Sequence, residues 1–129
     1  NSERINQDRL QAHAIEAAEQ CGGTYVPKVH KICKLTSTLE KWSDNRNIFF
    51  CNEDNLKPVG KLSKLPKGAW AIFIGPEGGF SKKEKTLFMK HPKTFSISLG
   101  PRILRADTAA ISALTLWQSH FGDWNEHYV

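Results

Sequence analysis

The stretch AWAIFIGPEGGFSKKE, residues 69–84, sets the fold class. Its first part, AWAIFIG, is an apolar run of strand length. Unbroken apolarity fits a strand covered on both faces, as in a parallel sheet. Glycines and a proline then end the run. SKKE follows, with Ser81 and Glu84 spaced as a capping box that opens a helix. The helix is expected from Ser81 to His91, and Pro92 marks its end. Strand, tight turn and helix in succession are part of a βαβ unit.

The same grammar extends outward. Ile48, Phe49, Phe50 and Cys51 form a second buried strand, preceded by a turn at SDNRN, residues 43–47. Residues 52–68 are rich in Lys, Pro and Gly and read as a loop. FSISL, residues 95–99, alternates as a strand does. GPRILRADTAA then leads into a long final helix, from about Asp107 to Phe121, with Asp107 or Thr108 as its cap. Nearer the start, residues 2–20 have helical spacing. Ile5, Leu10, Ala14, Ile15 and Ala18 share a broad face, and Gly22 and Gly23 stop the helix. YVPKV, residues 25–29, reads as a short strand at an edge because of Pro27. Thr36 or Ser37 caps a short helix through Trp42. This alternation predicts an α/β fold with an open, mostly parallel sheet flanked by helices. Ligands of such sheets sit beyond the carboxyl ends of the strands, where both glycine turns fall.

The 129 residues, 40% hydrophobic and 24% charged, suffice for one domain with a core. A net charge of +5 is compatible with a polyanionic partner but is weak support for one. No apolar run approaches the ~20 residues that span a bilayer, and no signal-peptide pattern is present. The polar start without a Met leads us to expect a piece of a longer protein. Cys21, Cys33 and Cys51 contain no CxxC pair, so neither a disulfide framework nor a zinc site is expected. Free thiols fit a reducing cytoplasm. The five histidines lack ligand spacing, and no metal is expected.

The turn at residues 75–79 is a poor phosphate loop. It lacks a Gly-Lys-Ser/Thr ending and the GxGxxG order. Glu77 also adds a negative charge where an anion would sit. A neutral or cationic ligand suits it better, since Gly78 and Gly79 allow positive φ and close backbone approach. A rigid turn with one acid fits S-adenosylmethionine, a sulfonium with ribose hydroxyls and an adenine edge; a purely structural turn with Glu77 in solvent is the competing reading. In the second turn, Arg102 and Arg105 precede a helix N-terminus, where the dipole disfavours cations. An anion such as RNA phosphate or a ligand carboxylate accounts for them. So does pairing of one arginine with Glu77 or Asp107.

IGPEGGFSKKE followed by SLGPRILRADTAAISAL resembles the 16S ribosomal RNA uridine N3-methyltransferase family (RsmE), of the SPOUT class. EAAEQCGGTYVPKV, residues 16–29, is similar to a segment of the same family, so the resemblance covers nearly the whole chain. It implies a single SPOUT methyltransferase domain over residues 1–129 with a C-terminal deep trefoil knot. It also implies that the opening strands and an N-terminal PUA-like RNA-binding domain lie outside this chain. The implied cofactor is S-adenosylmethionine, held by three loops. Onto them map Phe50 and Cys51; Gly75, Pro76, Glu77, Gly78 and Gly79; and Leu99, Gly100, Ile103 and Leu104, with Thr108 at the helix start. Arg102 and Arg105 become the RNA contacts. Arg105 and Glu77 become the catalytic candidates, Arg105 toward the uracil oxygens or a phosphate and Glu77 toward the sulfonium or Arg105. No general base is assigned.

The implied reaction methylates N3 of a uridine, at position 1498 of 16S ribosomal RNA, in a cytoplasmic homodimer. Trp117, Phe121 and Trp124 suit a dimer contact and also suit a core. This chain departs from the family pattern at Gly23, where many members carry Arg, and at Asp107, where Glu is usual. Two other readings stand beside it. One is an RNA-binding module that kept the fold and lost the chemistry. The other is a SPOUT methyltransferase for another RNA, such as transfer RNA 2′-hydroxyls.

Overall fold

The structure, a computed structural model, describes residues 5–43, 45–54 and 62–125. They fall into two compact units divided after Lys34.

The first unit holds helix α1, Gln7–Gln20. Asn6 caps it, its side chain accepting from the Arg9 amide at 3.0 Å. The other end is a Schellman closure. Gly23 N donates to Ala18 O at 2.8 Å and Gly22 N to Glu19 O at 3.4 Å, with Gly22 at φ +68. Only glycine enters that conformation without strain. Of the expected apolar face, Ala18 is buried and Ala14 half-buried, while Ile5, Leu10 and Ile15 stay exposed. Residues 2–4 of the expected helix lie outside the described residues.

Residues 25–29 do not form the expected strand. Pro27 has no N–H to offer a ladder, and α1 supplies the partners instead. Gln11 Nε2 donates to Pro27 O at 2.9 Å, and Val29 N donates to Gln11 Oε1 at 2.7 Å. Gln7 Nε2 donates to Val29 O at 2.8 Å. Two glutamine amides thus hold the extended segment as a neighbouring strand would.

The second unit is a three-layer α/β arrangement. Strand β1, Arg46–Cys51, lies between β2, Ala69–Phe73, and β3, Thr94–Ile97. Both pairings are parallel, with Phe49 opposite Ile72 and Phe95. The strand begins at Arg46, inside the expected turn. β1 is buried along both faces because its side chains feed two cores. Phe49 and Cys51 join Leu62, Trp70, Ile97 and Ala113, the last from helix α4, Ala106–Phe121. Ile48 and Phe50 join Leu39 of α2, Leu35–Glu40, and Phe88 of α3, Lys82–Lys90. Thr36 and Ser37 fall inside α2 rather than capping it, and α2 stops before Trp42. Residues 55–61 of the expected loop lie outside the described residues, and Leu62–Lys64 form a short 3-10 turn.

The capping box of α3 is complete. Ser81 Oγ accepts from Glu84 N at 3.1 Å, and Glu84 Oε1 accepts from Ser81 N at 2.7 Å. α4 differs from expectation, because its cap position is Arg105, which makes no side-chain cap bond. Asp107 accepts instead from the Thr108 amide at 2.8 Å, and its charge in the first turn favours the helix dipole.

Candidate functional site

The three strands run parallel, so their carboxyl ends open onto one edge of the sheet, and a cleft forms there. Cys51, Asn52 and Glu53 come from the end of β1. Ile74, Gly75, Pro76, Gly79 and Phe80 come from the turn after β2. Leu99, Gly100, Arg102 and Leu104 come from the segment after β3, and Ala106 and Ala109 from the first turns of α4. The cleft encloses about 500 Å³ when the part open to solvent is counted. This is the position that the strand order of an open α/β sheet selects for a ligand.

Each glycine at the cleft has its own physical reason. Gly79 N donates to Pro76 O at 2.8 Å, closing a turn with Glu77 and Gly78 at its tip. Gly79 sits at φ +72, and a Cβ there would run into the Glu53 carboxylate. A Cβ on Gly75 would lie 3.1 Å from the Phe80 ring, so the ring covers bare backbone. Gly100 is at φ +103, where a side chain would project into open space. Its amide donates to Ser98 Oγ at 3.1 Å, which fixes the turn.

Of the expected cofactor residues, Cys51, Gly75, Pro76, Gly79, Leu99, Gly100 and Leu104 line this cleft. Glu77 and Gly78 are exposed at the turn tip and do not line it. Ile103 and Thr108 are likewise exposed and off the lining. Phe50 is fully buried on the opposite face of the sheet, stacked on Phe88 at 4.3 Å, and packs rather than faces the cleft. The two arginines separate. Both are exposed; Arg102 lines the cleft, while Arg105 stands off the lining, its Nε 3.9 Å from Asp107 Oδ1. An exposed pair of this kind holds weakly. Asn52, Glu53, Ile74, Phe80, Ala106 and Ala109 line the cleft without having been singled out. Asn52 and Glu53 were findable from the strand-end rule alone, since they directly follow the buried run.

Burial pushes the Cys51 thiol up from 9.0 to about 12. Cys51 is therefore a neutral wall of the cleft, neither base nor nucleophile at neutral pH. The unfolded chain ionises this thiol first, so stability is lost as pH rises from about 9 toward about 12. Alkylation at mildly alkaline pH is expected to label the exposed Cys21 and Cys33 and to spare Cys51 until the chain unfolds. Peptide mass spectrometry reads the outcome; equal labelling of all three thiols would mean that the end of β1 opens to solvent.

Among the described residues no group of His, Cys, Asp or Glu is arranged to hold a metal, and no helix is long and apolar enough to cross a membrane. A family model described as an RNA methyltransferase domain matches residues 1–118. This chain belongs to the RNA methyltransferase domain family. Its relatives within that domain family include Ribosomal RNA small subunit methyltransferase E of Rickettsia conorii, 37% identical over 113 residues, which are 85% of this chain and 46% of the relative. The protein of that name from Buchnera aphidicola (Acyrthosiphon pisum) is 33% identical over 121 residues, 90% of this chain and 45% of the relative. A crystal structure of a Ribosomal RNA small subunit methyltransferase E from Neisseria gonorrhoeae, bound to S-adenosyl methionine, superposes with a TM-score of 0.82 at 28% identity. It covers 97% of this chain and 54% of that one. This RNA methyltransferase domain thus spans about half the length of the relatives it matches.

Proposed function

We propose that this chain forms the S-adenosylmethionine-binding part of an enzyme that methylates N3 of a uridine in small-subunit ribosomal RNA. The observation that carries the reading is the cleft at the carboxyl ends of three parallel strands, walled by two glycine turns. The relative from Neisseria gonorrhoeae, of the same fold, binds S-adenosyl methionine. The residues present fit such a ligand. Bare backbone at Gly100 allows close approach, and half-buried Ile74, Leu99 and Leu104 supply apolar walls.

When bound, the cofactor supplies an electrophilic methyl group on a sulfonium. The chain's own work is to hold that ligand and to present the base in line with it, so positioning dominates. Arg102, on the cleft wall, is suited to the ligand carboxylate. Arg105, outside the cleft and lightly tied, is suited to RNA phosphate or to negative charge on the uracil oxygens. N3 is engaged in a duplex, so the target base must be unpaired or flipped out. The turns after β2 and β3 are the segments that the proposed trefoil knot would contain.

The proposed partner is a second copy of the chain. Ile103, Ile111, Leu114 and Trp124 leave an apolar surface along and beside α4. Trp117 and Phe121 are half-buried against the core beside Trp70, so of the three aromatics expected at a dimer contact only Trp124 is exposed. The proposed location is the cytoplasm, where such a ribosomal RNA substrate would be met. Calorimetric titration with S-adenosylmethionine, with ATP and NAD as controls, tests the reading. Selective binding of S-adenosylmethionine is expected. A folded chain that binds none of the three, or all alike, would overturn it.

A further inference from the structure

We propose that Glu53 receives the cationic end of bound S-adenosylmethionine, the role that the sequence had suggested for Glu77. The inference rests on the cofactor reading above and specifies how the cleft discriminates within it.

β1 ends in CNED, and the two acids of that segment have opposite fates. Asp54 pairs with Lys85 of α3. Asn52 Oδ1 accepts from Asp54 N at 3.1 Å, which turns the chain and sends its two neighbouring acids in different directions. Glu53 is half-buried on the cleft wall, and among the described residues no cation or hydrogen-bond donor engages its carboxylate. The carboxylate instead lies against the α-carbon of Gly79, in the space that any side chain there would fill. Gly79 therefore serves two ends, the left-handed turn and room for this acid. The N-terminus of α3 lies just beyond, but the Ser81–Glu84 capping box already uses the amides of Ser81 and Glu84.

Glu53 thus keeps its acceptor capacity unspent on the cleft wall. It is an acceptor placed for a cation. Among the described residues, the other charged side chain on the cleft lining is Arg102, from the segment after β3, and no ion pair joins the two. One acid and one base on a cleft wall, left unpaired, match a zwitterion. The amino-acid arm of S-adenosylmethionine is such a group, with a sulfonium next to it. Glu77 lacks these features, being exposed at the turn tip and off the lining.

The test compares the wild-type chain with Glu53→Gln by calorimetry on three ligands. S-adenosylmethionine carries both sulfonium and ammonium. S-adenosylhomocysteine carries the ammonium alone. Methylthioadenosine carries neither. The variant is expected to lose about ten-fold in affinity for S-adenosylmethionine, the value of a charge-assisted hydrogen bond. Its affinity for methylthioadenosine should hold within about two-fold. The homocysteine arm then names the cation: an equal loss there assigns Glu53 to the ammonium, and no loss assigns it to the sulfonium. An equal loss for all three ligands, or a loss for none, overturns the proposal. A wild-type chain that binds none of the three would instead overturn the cofactor reading itself.

Discussion

Phe88→Ala is expected to destabilise the second unit by about 4 kcal/mol, the usual range for removing a buried aromatic ring. Phe88 is fully buried on α3. It stacks on Phe50 at 4.3 Å and meets Phe73 and Phe80 edge-on at 4.9 and 5.2 Å. The hole left behind cannot close easily. Phe50 and Phe73 belong to paired strands, and Phe50 is held on both sides because β1 is central. Phe80 alone sits in a turn, where its ring already covers Gly75 at the cleft. If Phe80 moves in to fill the space, the cleft loses part of its wall. Urea denaturation should show a lower midpoint with an unchanged slope, and ligand affinity should fall with it. Met89, next in the chain and exposed, is the control; its alanine variant should stay within about 0.5 kcal/mol of wild type. Equal effects at the two positions would mean that this aromatic cluster does not carry the fold.

The central strand, β2 and α3 were legible because each writes its environment into consecutive residues. Ile48, Phe49, Phe50 and Cys51 are apolar on both faces, which only a doubly covered strand needs. The capping box names its own two bonds. What escaped reading depends on groups far apart in the chain. Residues 25–29 have the composition of an edge strand, yet their partners are Gln7 and Gln11, 16 to 22 residues earlier. No periodicity reports side-chain amides standing in for a strand. The cap of α4 was misassigned because Asp107 and Thr108 are good caps by type. The helix in fact starts at Ala106, which puts Arg105 at the cap and Asp107 inside the first turn.

The same holds within the candidate site. Glycine turns at strand ends were visible and do line the cleft. Which acid faces it was not visible, because that depends on the direction of one side chain after a turn. Glu77 looked central in GPEGG, but the bond from Gly79 N to Pro76 O lifts it to the turn tip. Glu53 stood in a stretch that read as loop, and its relation to Gly79 spans 26 residues. Local pattern located the cleft; packing across the strand ends decided its charges.

On the proposed function, Arg105→Ala in the full-length enzyme is expected to lower methyl transfer to ribosomal RNA by about 100-fold, the order seen when a donor facing developing charge is removed. S-adenosylmethionine affinity should change by less than about three-fold, because Arg105 is exposed and does not line the cleft. Arg102→Ala should behave oppositely, since Arg102 lines the cleft. It should weaken cofactor binding by about ten-fold, as for a lost carboxylate partner, and saturating cofactor should restore much of the transfer rate. The two arginines sit three residues apart, so a general loosening of the turn would affect both measurements in both variants. Single-turnover transfer of a labelled methyl group gives the rate, and calorimetry gives the affinity. The Arg105–Asp107 contact is long and exposed, so its loss should not disturb the fold. Asp107 keeps its bond to the Thr108 amide in either variant. Unchanged transfer in Arg105→Ala would remove Arg105 from the reaction. Loss of cofactor binding in that variant would mean that the guanidinium turns into the cleft when the ligand arrives.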